Sequence, residues 1–350
     1  MKRPSNEIVC LGAYGGIDLS NLSSWLIRVE GVDYLFDAGS PLNGIQAYNS
    51  NHCTDAIDIK EINSIFISHA HLDHIAGLII MSPMLIGGHT FPIVGFPQVT
   101  NCIKQCIFNQ SIWPNIFTTG KKDAFEPIFA FKNGNYDQTM GALIYDAPTI
   151  TTWMFPITHA DYGKLEHTER AFSTCFIVQP KKQNNVAFVY FGDVSLSIDP
   201  YLPEDPDQEP YRQIQKVLHY TRQICHAHTK VHVFLECAFS SHQPTNLLVG
   251  HINTLQFIKI VQEFADTIPK SEINFFVTHR KPDFQNGAFN LVELNLIESE
   301  LSNLTSVSKI LGNIRNNVHI IFPEQGMSWN PCQIRSPTLT GPTSLHSVHI

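Results

Sequence analysis

The run Ser68-His69-Ala70-His71-Leu72-Asp73-His74 gathers three imidazoles and a carboxylate into one short turn. Protonated imidazoles this close would repel one another, so the cluster needs a shared partner. A divalent metal fits best, because neutral imidazole nitrogens and a carboxylate oxygen are among its preferred ligands. The competing reading is a polar turn in a chain that carries 17 histidines. Four metal-competent side chains in so narrow a window weigh against it. Three more candidates, His159, Asp193 and His279, each lie just past the end of an apolar run. Any one of them alone reads as structural. Together with the His-rich turn they make up a ligand set large enough for two metals that share one carboxylate.

The elements that must position these residues follow from the apolar pattern. The sequence predicts a buried strand over 62–68 and a helix beginning at 75, so the His-rich turn sits at a strand end. Strands are expected over 7–12, over 24–29 and 32–37 as a hairpin through Glu30-Gly31, and over 151–157, 172–178 and 186–191. Further strands are expected over 231–236, 273–277 and 318–322. Helices are expected over 98–108, 211–226, 251–264 and 291–301. In layered α/β proteins strand ends converge at one sheet edge, where sites are built. Gly15-Gly16 reads as a turn. Asp37, at a strand end, either caps a loop or supports a metal ligand.

Residues 81–146 are rich in Pro and Gly and read as an irregular insertion over the site opening, with His89 in a surface or structural role. The remainder of 1–330 reads as a single catalytic domain. The tail, 331–350, is rich in Pro, Ser and Thr and predicts no regular structure.

Of the 350 residues, 43% are apolar and 15% charged, which suits a globular protein with a sizeable core. The net charge of −8 argues against nucleic acid as a partner, since a nucleic-acid footprint needs a basic face. A small anionic substrate stays open because bound metals invert the local field. No stretch has the apolar length of a membrane span, and the N-terminus lacks a signal-peptide pattern. The eight cysteines form no CxxC pair, and several lie inside apolar runs. Free thiols in a reducing compartment, the cytoplasm, are expected. A homodimer is the commonest prior for assembly.

His69-Ala70-His71-Leu72-Asp73-His74 resembles the signature of the metallo-β-lactamase superfamily. One branch, the class II cyclic-nucleotide phosphodiesterases, is resembled more closely. The flanking Ala76-Gly77-Leu78, Thr158-His159, Phe191-Gly192-Asp193, Thr278-His279-Arg280-Lys281-Pro282 and the early Leu11-Gly12 and Gly15-Gly16 turn carry that likeness. The resemblance spans roughly residues 7 to 325 and implies an α/β fold, the αββα sandwich of two packed mixed sheets with helices outside. By position it implies that His69, His71 and His159 hold one metal and that Asp73, His74 and His279 hold a second. Asp193 would bridge them, and zinc is the usual metal in such sites.

Glu236, followed by Gly250-His251, resembles a Glu/His pair of the superfamily's phosphodiesterases, including the tRNA 3′-processing enzymes. A carboxylate that orients an imidazole, which then gives a proton to a leaving oxygen, makes chemical sense. The alternative is that both residues merely cap their elements. The resemblance thus implies hydrolysis of 3′,5′-cyclic nucleotides (cAMP, cGMP or both) to nucleoside 5′-monophosphates. A hydroxide held by the two metals would be the nucleophile, Asp73 would orient it, and His251 with Glu236 would serve as the acid. Trp113, Tyr162 and Phe239 are candidates to stack on the base, and His167 to reach the phosphate. A tRNA-processing endonuclease lacks its basic arm here, and a lactonase or β-lactamase would not need the Glu/His pair. An inactive scaffold would not need the ligands.

Overall fold

The computed structural model describes residues 4–16, 18–52, 55–86, 89–115, 129–137, 142–159, 172–196, 210–243, 248, 250–281, 283–285, 288–290, 292–302, 317–334 and 347–349. In chain order its main elements begin with β1 (Glu7–Gly12), β2 (Ser24–Val29), β3 (Val32–Phe36), α1 (Pro41–Asn51), β4 (Ser64–Phe66) and α2 (Leu72–Met81). There follow β5 (Phe91–Val94), α3 (Pro97–Cys102), β6 (Phe129–Lys132), β7 (Asn135–Asp137), β8 (Ala142–Asp146) and β9 (Ile150–Thr158). Next come β10 (Phe172–Pro180), β11 (Val186–Phe191), α4 (Pro210–Ile224), β12 (Lys230–Glu236), α5 (Thr254–Thr267) and β13 (Glu272–Thr278). The chain ends with β14 (Asp283–Gln285), β15 (Ala288–Asn290), α6 (Val292–Ser302), β16 (Val318–Ile321), β17 (Ser328–Trp329) and β18 (Ser347–His349). Two compact units result. Unit 1 is Met1–Met154 with Glu324–Asn330, and unit 2 is Phe155–Pro323 with Pro331–Ile350.

Unit 1 is built on a mixed sheet in the order β17-β1-β2-β3-β4-β5-β6. The β2–β3 hairpin turns at Glu30 (φ 53°) and Gly31 (φ 79°), the left-handed pair that matches strand twist. Its register is pinned by a buried charge cluster. Arg28 pairs across the ladder with Glu7 and Asp33, donating to Glu7 at 2.7 Å and to Asp33 at 2.6 and 3.0 Å. A buried guanidinium is tolerable only with such partners. From β3 to β6 the strands run parallel.

Unit 2 holds a second mixed sheet. β11, β12, β13 and β16 are parallel neighbours, with β10 antiparallel on β11 and β18 antiparallel on β16. β11 is buried along its whole length, as expected of a central parallel strand with an unbroken apolar sequence. Parallel registry aligns the C-terminal ends of β11, β12 and β13, with Tyr190 opposite Phe234 and Glu236 opposite Thr278.

Most predicted strands stand within a residue or two at each end. Three local readings change. α2 starts at Leu72 rather than at Ile75, which brings Asp73 and His74 into its first turn. α5 starts at Thr254 rather than at His251, because Asn253 and Gln256 form a reciprocal cap at its start. Residues 81–146, read as irregular apart from a helix over 98–108, contain α3 where that helix was expected and also β5 to β8, whose strands are too short to stand out among the prolines. α1 had no counterpart in the sequence reading, although Pro41 in its first turn is a start signal. The tail supplies β18, and 335–346 and 350 lie outside the described residues.

Candidate functional site

In unit 1 the parallel pair β3 and β4 ends with Phe36 opposite Phe66, their rings stacked at 4.7 Å. Past those rings the chain reaches Asp37 from one strand and Ser68 from the other. Asp37 is fully buried and holds φ at 53°, in the left-handed region. Its Oδ1 accepts the Ser68 N–H at 2.8 Å, and its Oδ2 accepts the Ser68 hydroxyl at 2.8 Å and His74 Nδ1–H at 2.7 Å. The Ser68 hydroxyl, already donating to Asp37, accepts from His69 Nδ1 at 3.0 Å. The hydrogen-bond pattern thus assigns both imidazoles the tautomer with a lone pair on Nε2. Asp37 therefore supports two metal-competent histidines, one directly and one through Ser68.

α2 is laid against the Asp37-Ala38-Gly39 corner by backbone contacts. Ala38 N–H donates to His74 O at 2.7 Å, and Gly77 N–H donates to Gly39 O at 2.9 Å. A Cβ on Gly77 would come within 2.3 Å of Pro41 Cδ and 2.7 Å of Ala38 O, so only glycine allows this approach. His71 precedes the helix in an extended conformation. Asp73 lies in the first turn, where the helix dipole favours a carboxylate. Its Oδ2 accepts the Gly16 N–H at 3.0 Å, which connects the Gly15-Gly16 turn to the cluster. The His69 ring lies 4.5 Å from His71 and 4.2 Å from His74. Unit 1 thus brings together all four of its candidate ligands.

In unit 2, His159 follows β9, while Asp193, Glu236 and His279 come from the ends of β11, β12 and β13. Their convergence follows from the parallel registry. His159 Nδ1 donates to Gly250 O at 2.8 Å, which leaves its lone pair on Nε2. That Nε2 lies 3.5 Å from Asp193 Oδ2, and His279 Nε2 lies 3.4 Å from the same oxygen. A lone pair facing a carboxylate oxygen is reconciled by a cation between them, so this donor set fits a divalent metal. The ligand atoms of Asp193, His251 and His279 all lie within 4.8 Å of one another. His279 holds φ at 51°, a second left-handed residue at a strand end.

Glu236 is fully buried. One oxygen accepts the Val194 N–H, and the other lies 3.0 Å from His251 Nδ1. Burial alone would lower the His251 pKa, but the charges of Glu236 and then Asp193 outweigh it and hold the imidazole above its ordinary value. Lys281 Nζ donates to His251 Nε2 at 2.7 Å. Gln213, on α4, accepts from the Thr158 N–H at 2.5 Å and the Thr158 hydroxyl at 3.0 Å, fixing the residue before His159.

Sequence reasoning missed Lys281 as a contact of His251, and Gln213 altogether. Lys281 had a signal in its place two residues past His279. Gln213 had none. His89 has the structural role expected, its Nε2 bonded to Ile62 O at 3.1 Å. Trp113 donates to the Ser82 hydroxyl at 2.9 Å. Tyr162 and His167 lie outside the described residues.

Comparison with solved structures defines the class first. The crystal structure of unliganded yeast PDE1 is similar over 93% of this chain and 99% of that one, with a TM-score of 0.71 at 16% identity. The metallo-β-lactamase fold protein YhfI from Bacillus subtilis is similar over 93% of this chain and 99% of that chain, with a TM-score of 0.55 at 15% identity. The fold is the α/β metallo-β-lactamase fold, with two mixed sheets and helices, as the sequence led us to expect. Sequence comparison then narrows the class. The chain matches the model of the class-II cAMP phosphodiesterases over residues 11–326. It is also 27% identical over 329 residues to a probable 3′,5′-cyclic-nucleotide phosphodiesterase of Yersinia pestis, covering 87% of this chain and 86% of that protein. The chain belongs to the class-II cAMP phosphodiesterase family and is an enzyme of the cyclic-nucleotide phosphodiesterase type. Divalent metal is the cofactor that its fold family and His/Asp clusters indicate. Among the described residues no helix is long and apolar enough to cross a membrane.

Proposed function

We propose that this chain hydrolyses 3′,5′-cyclic nucleotides, cAMP, cGMP or both, to nucleoside 5′-monophosphates with two divalent metal ions, zinc by preference. The observation that carries the reading is the buried Glu236–His251 pair beside Asp193, at 3.0 Å and 3.7 Å from His251 Nδ1. A phosphodiester leaving group needs a proton, and this pair is built to position one. The ligand assignment proposed is His69, His71 and His159 for one ion and Asp73, His74 and His279 for the other, with Asp193 shared. Residues 1–330 are read as one catalytic domain. When bound, such ions supply a water made nucleophilic at neutral pH and neutralise charge on the phosphate.

The chain's own residues do the rest. Asp37 holds His74 directly and His69 through Ser68. Asp73, held by the Gly16 amide, orients the attacking water. Glu236 fixes the His251 ring, and His251 gives its proton to the departing ribose O3′. The described cysteines are free thiols, which supports a reducing compartment, the cytoplasm, as its place. The test is release of 5′-AMP or 5′-GMP from the cyclic nucleotides, with and without a chelator. Turnover that is abolished by chelation and restored by zinc is expected. Metal-replete protein that leaves both substrates intact overturns the proposal.

A further inference from the structure

We propose that Lys281 is the residue that captures the phosphate group of the substrate, and that phosphate binding draws its ammonium away from His251. The inference rests on the phosphodiesterase reading above and adds to it a named anion-binding group. Lys281 Nζ donates to His251 Nε2 at 2.7 Å and lies 5.7 Å from the centre of the Phe239 ring. Among the described residues the ammonium has no carboxylate partner. Lys281 and Phe239 are both half-buried, so the pair is open to a ligand. An ammonium has three N–H donors, and an imidazole nitrogen occupies one. An arriving phosphate offers an anionic acceptor, and a hydrogen bond between two opposite charges adds Coulombic attraction that the bond to an uncharged imidazole nitrogen lacks.

The arrangement around His251 gives the movement a consequence. Glu236 lies 3.0 Å from Nδ1, so the ring is held on that side. Nε2 is the atom that must face the leaving oxygen, and it is the atom Lys281 covers. While it accepts from the ammonium it has no proton to give, and only once Lys281 has moved can it take from solvent the proton that goes to the leaving oxygen. The flexible four-carbon stem of lysine lets Nζ swing to a phosphate oxygen without any backbone shift. Capture of the phosphate and exposure of Nε2 then become one event. Phe239, whose ring centre lies 6.2 Å from that of His251, forms an apolar wall beside it.

The test uses the full chain loaded with zinc. Lys281→Met keeps the stem and removes the charge; Lys281→Arg keeps the charge. Lys281→Met should weaken 5′-AMP binding, measured by calorimetry, by about 10- to 100-fold and raise KM for cAMP in step, with metal content unchanged. Adenosine, which lacks the phosphate, should bind both proteins equally, and Lys281→Arg should recover most of the lost affinity. Unchanged 5′-AMP affinity, or equal losses for 5′-AMP and adenosine, overturns the proposal. A second measurement needs no variant. In the wild-type protein 5′-AMP, but not adenosine, should protect Lys281 from an amine-acylating reagent, read by mass spectrometry; equal labelling overturns the proposal even if Lys281→Met fails to fold. Protection by 5′-AMP in a protein that leaves cAMP intact would keep the phosphate site and overturn the phosphodiesterase reading alone.

Discussion

Glu236 Oε2 lies 3.0 Å from His251 Nδ1 while the other carboxylate oxygen takes the Val194 N–H, so the glutamate fixes the imidazole and is itself fixed. Val194 follows Asp193, so the same carboxylate also steadies the strand end that carries a proposed ligand. Replacing His251 with Ala should lower turnover by about 10²–10⁴ and leave metal content intact, as loss of a general acid does. Unchanged turnover, or loss of metal, would count against the assignment.

Asp193 lies at the centre of the unit 2 cluster, its Oδ2 3.5 Å from His159 Nε2 and 3.4 Å from His279 Nε2. Asp193→Ala should therefore deplete metal rather than only slow the reaction. Elemental analysis checks this; full occupancy would rule out a bridging role.

Asp37 supports its histidines without being a proposed ligand. Asp37→Ala should weaken zinc binding by about 10- to 100-fold, the usual effect of removing a carboxylate behind a ligating imidazole. Competition with a chromophoric chelator measures it. A Ser68→Ala variant should lose less, because His74 keeps its direct bond to Asp37. Equal effects of the two substitutions would contradict this account.

Gly77 lets α2 lie against the Asp37 corner. Gly77→Ala places a methyl 2.3 Å from Pro41 Cδ, and overpacking of this kind destabilises by about 1–3 kcal/mol. Thermal unfolding of the chelated protein should show a lowered midpoint. An unshifted midpoint would mean that the corner yields.

His232, buried in β12, has its pKa pushed down to about 3, chiefly by burial, while its Nε2 contacts Pro331 O at 3.0 Å. The folded state resists a proton that the unfolded chain accepts near the ordinary value of about 6.5. Stability is therefore unaffected above that pH and falls as pH drops from it toward about 3. At pH 5 the loss from this one group is about 2 kcal/mol. Denaturant midpoints at pH 7 and 5, taken in chelator, should fall further for wild type than for His232→Gln. Parallel behaviour would remove His232 as the cause.

The candidate ligands could be picked out of the sequence because each stands where an apolar run stops, and strand periodicity is a strong local signal. The α/β class followed from the same runs. Less local features stayed hidden. The support that Asp37 gives to His69 and His74 depends on β3 lying parallel to β4, which no window of sequence reports. The contact of Lys281 with His251 depends on a left-handed turn at His279, where no glycine announces it. The strands of 81–146 are short and dotted with proline, so pattern alone read them as loop. The sequence places His251 on a helix because the apolar periodicity runs up to it, whereas the reciprocal Asn253–Gln256 cap starts the helix only at Thr254.

The Asp37 network has a consequence for how the molecule is made. Its members, from Asp37 to His74, lie just past β3 and β4 and in the first turn of α2, and these elements are consecutive or nearly so in the chain. The unit 2 cluster draws on residues from His159 to Lys281 and requires β9, β11, β12 and β13 together. Long-range pairings of that kind form late, since the intervening chain must first be closed into a loop. During synthesis the His-rich turn and its supporting carboxylate can therefore be organised while the remaining candidate residues are still untranslated. The order in which the two halves are assembled is written into the order of the codons.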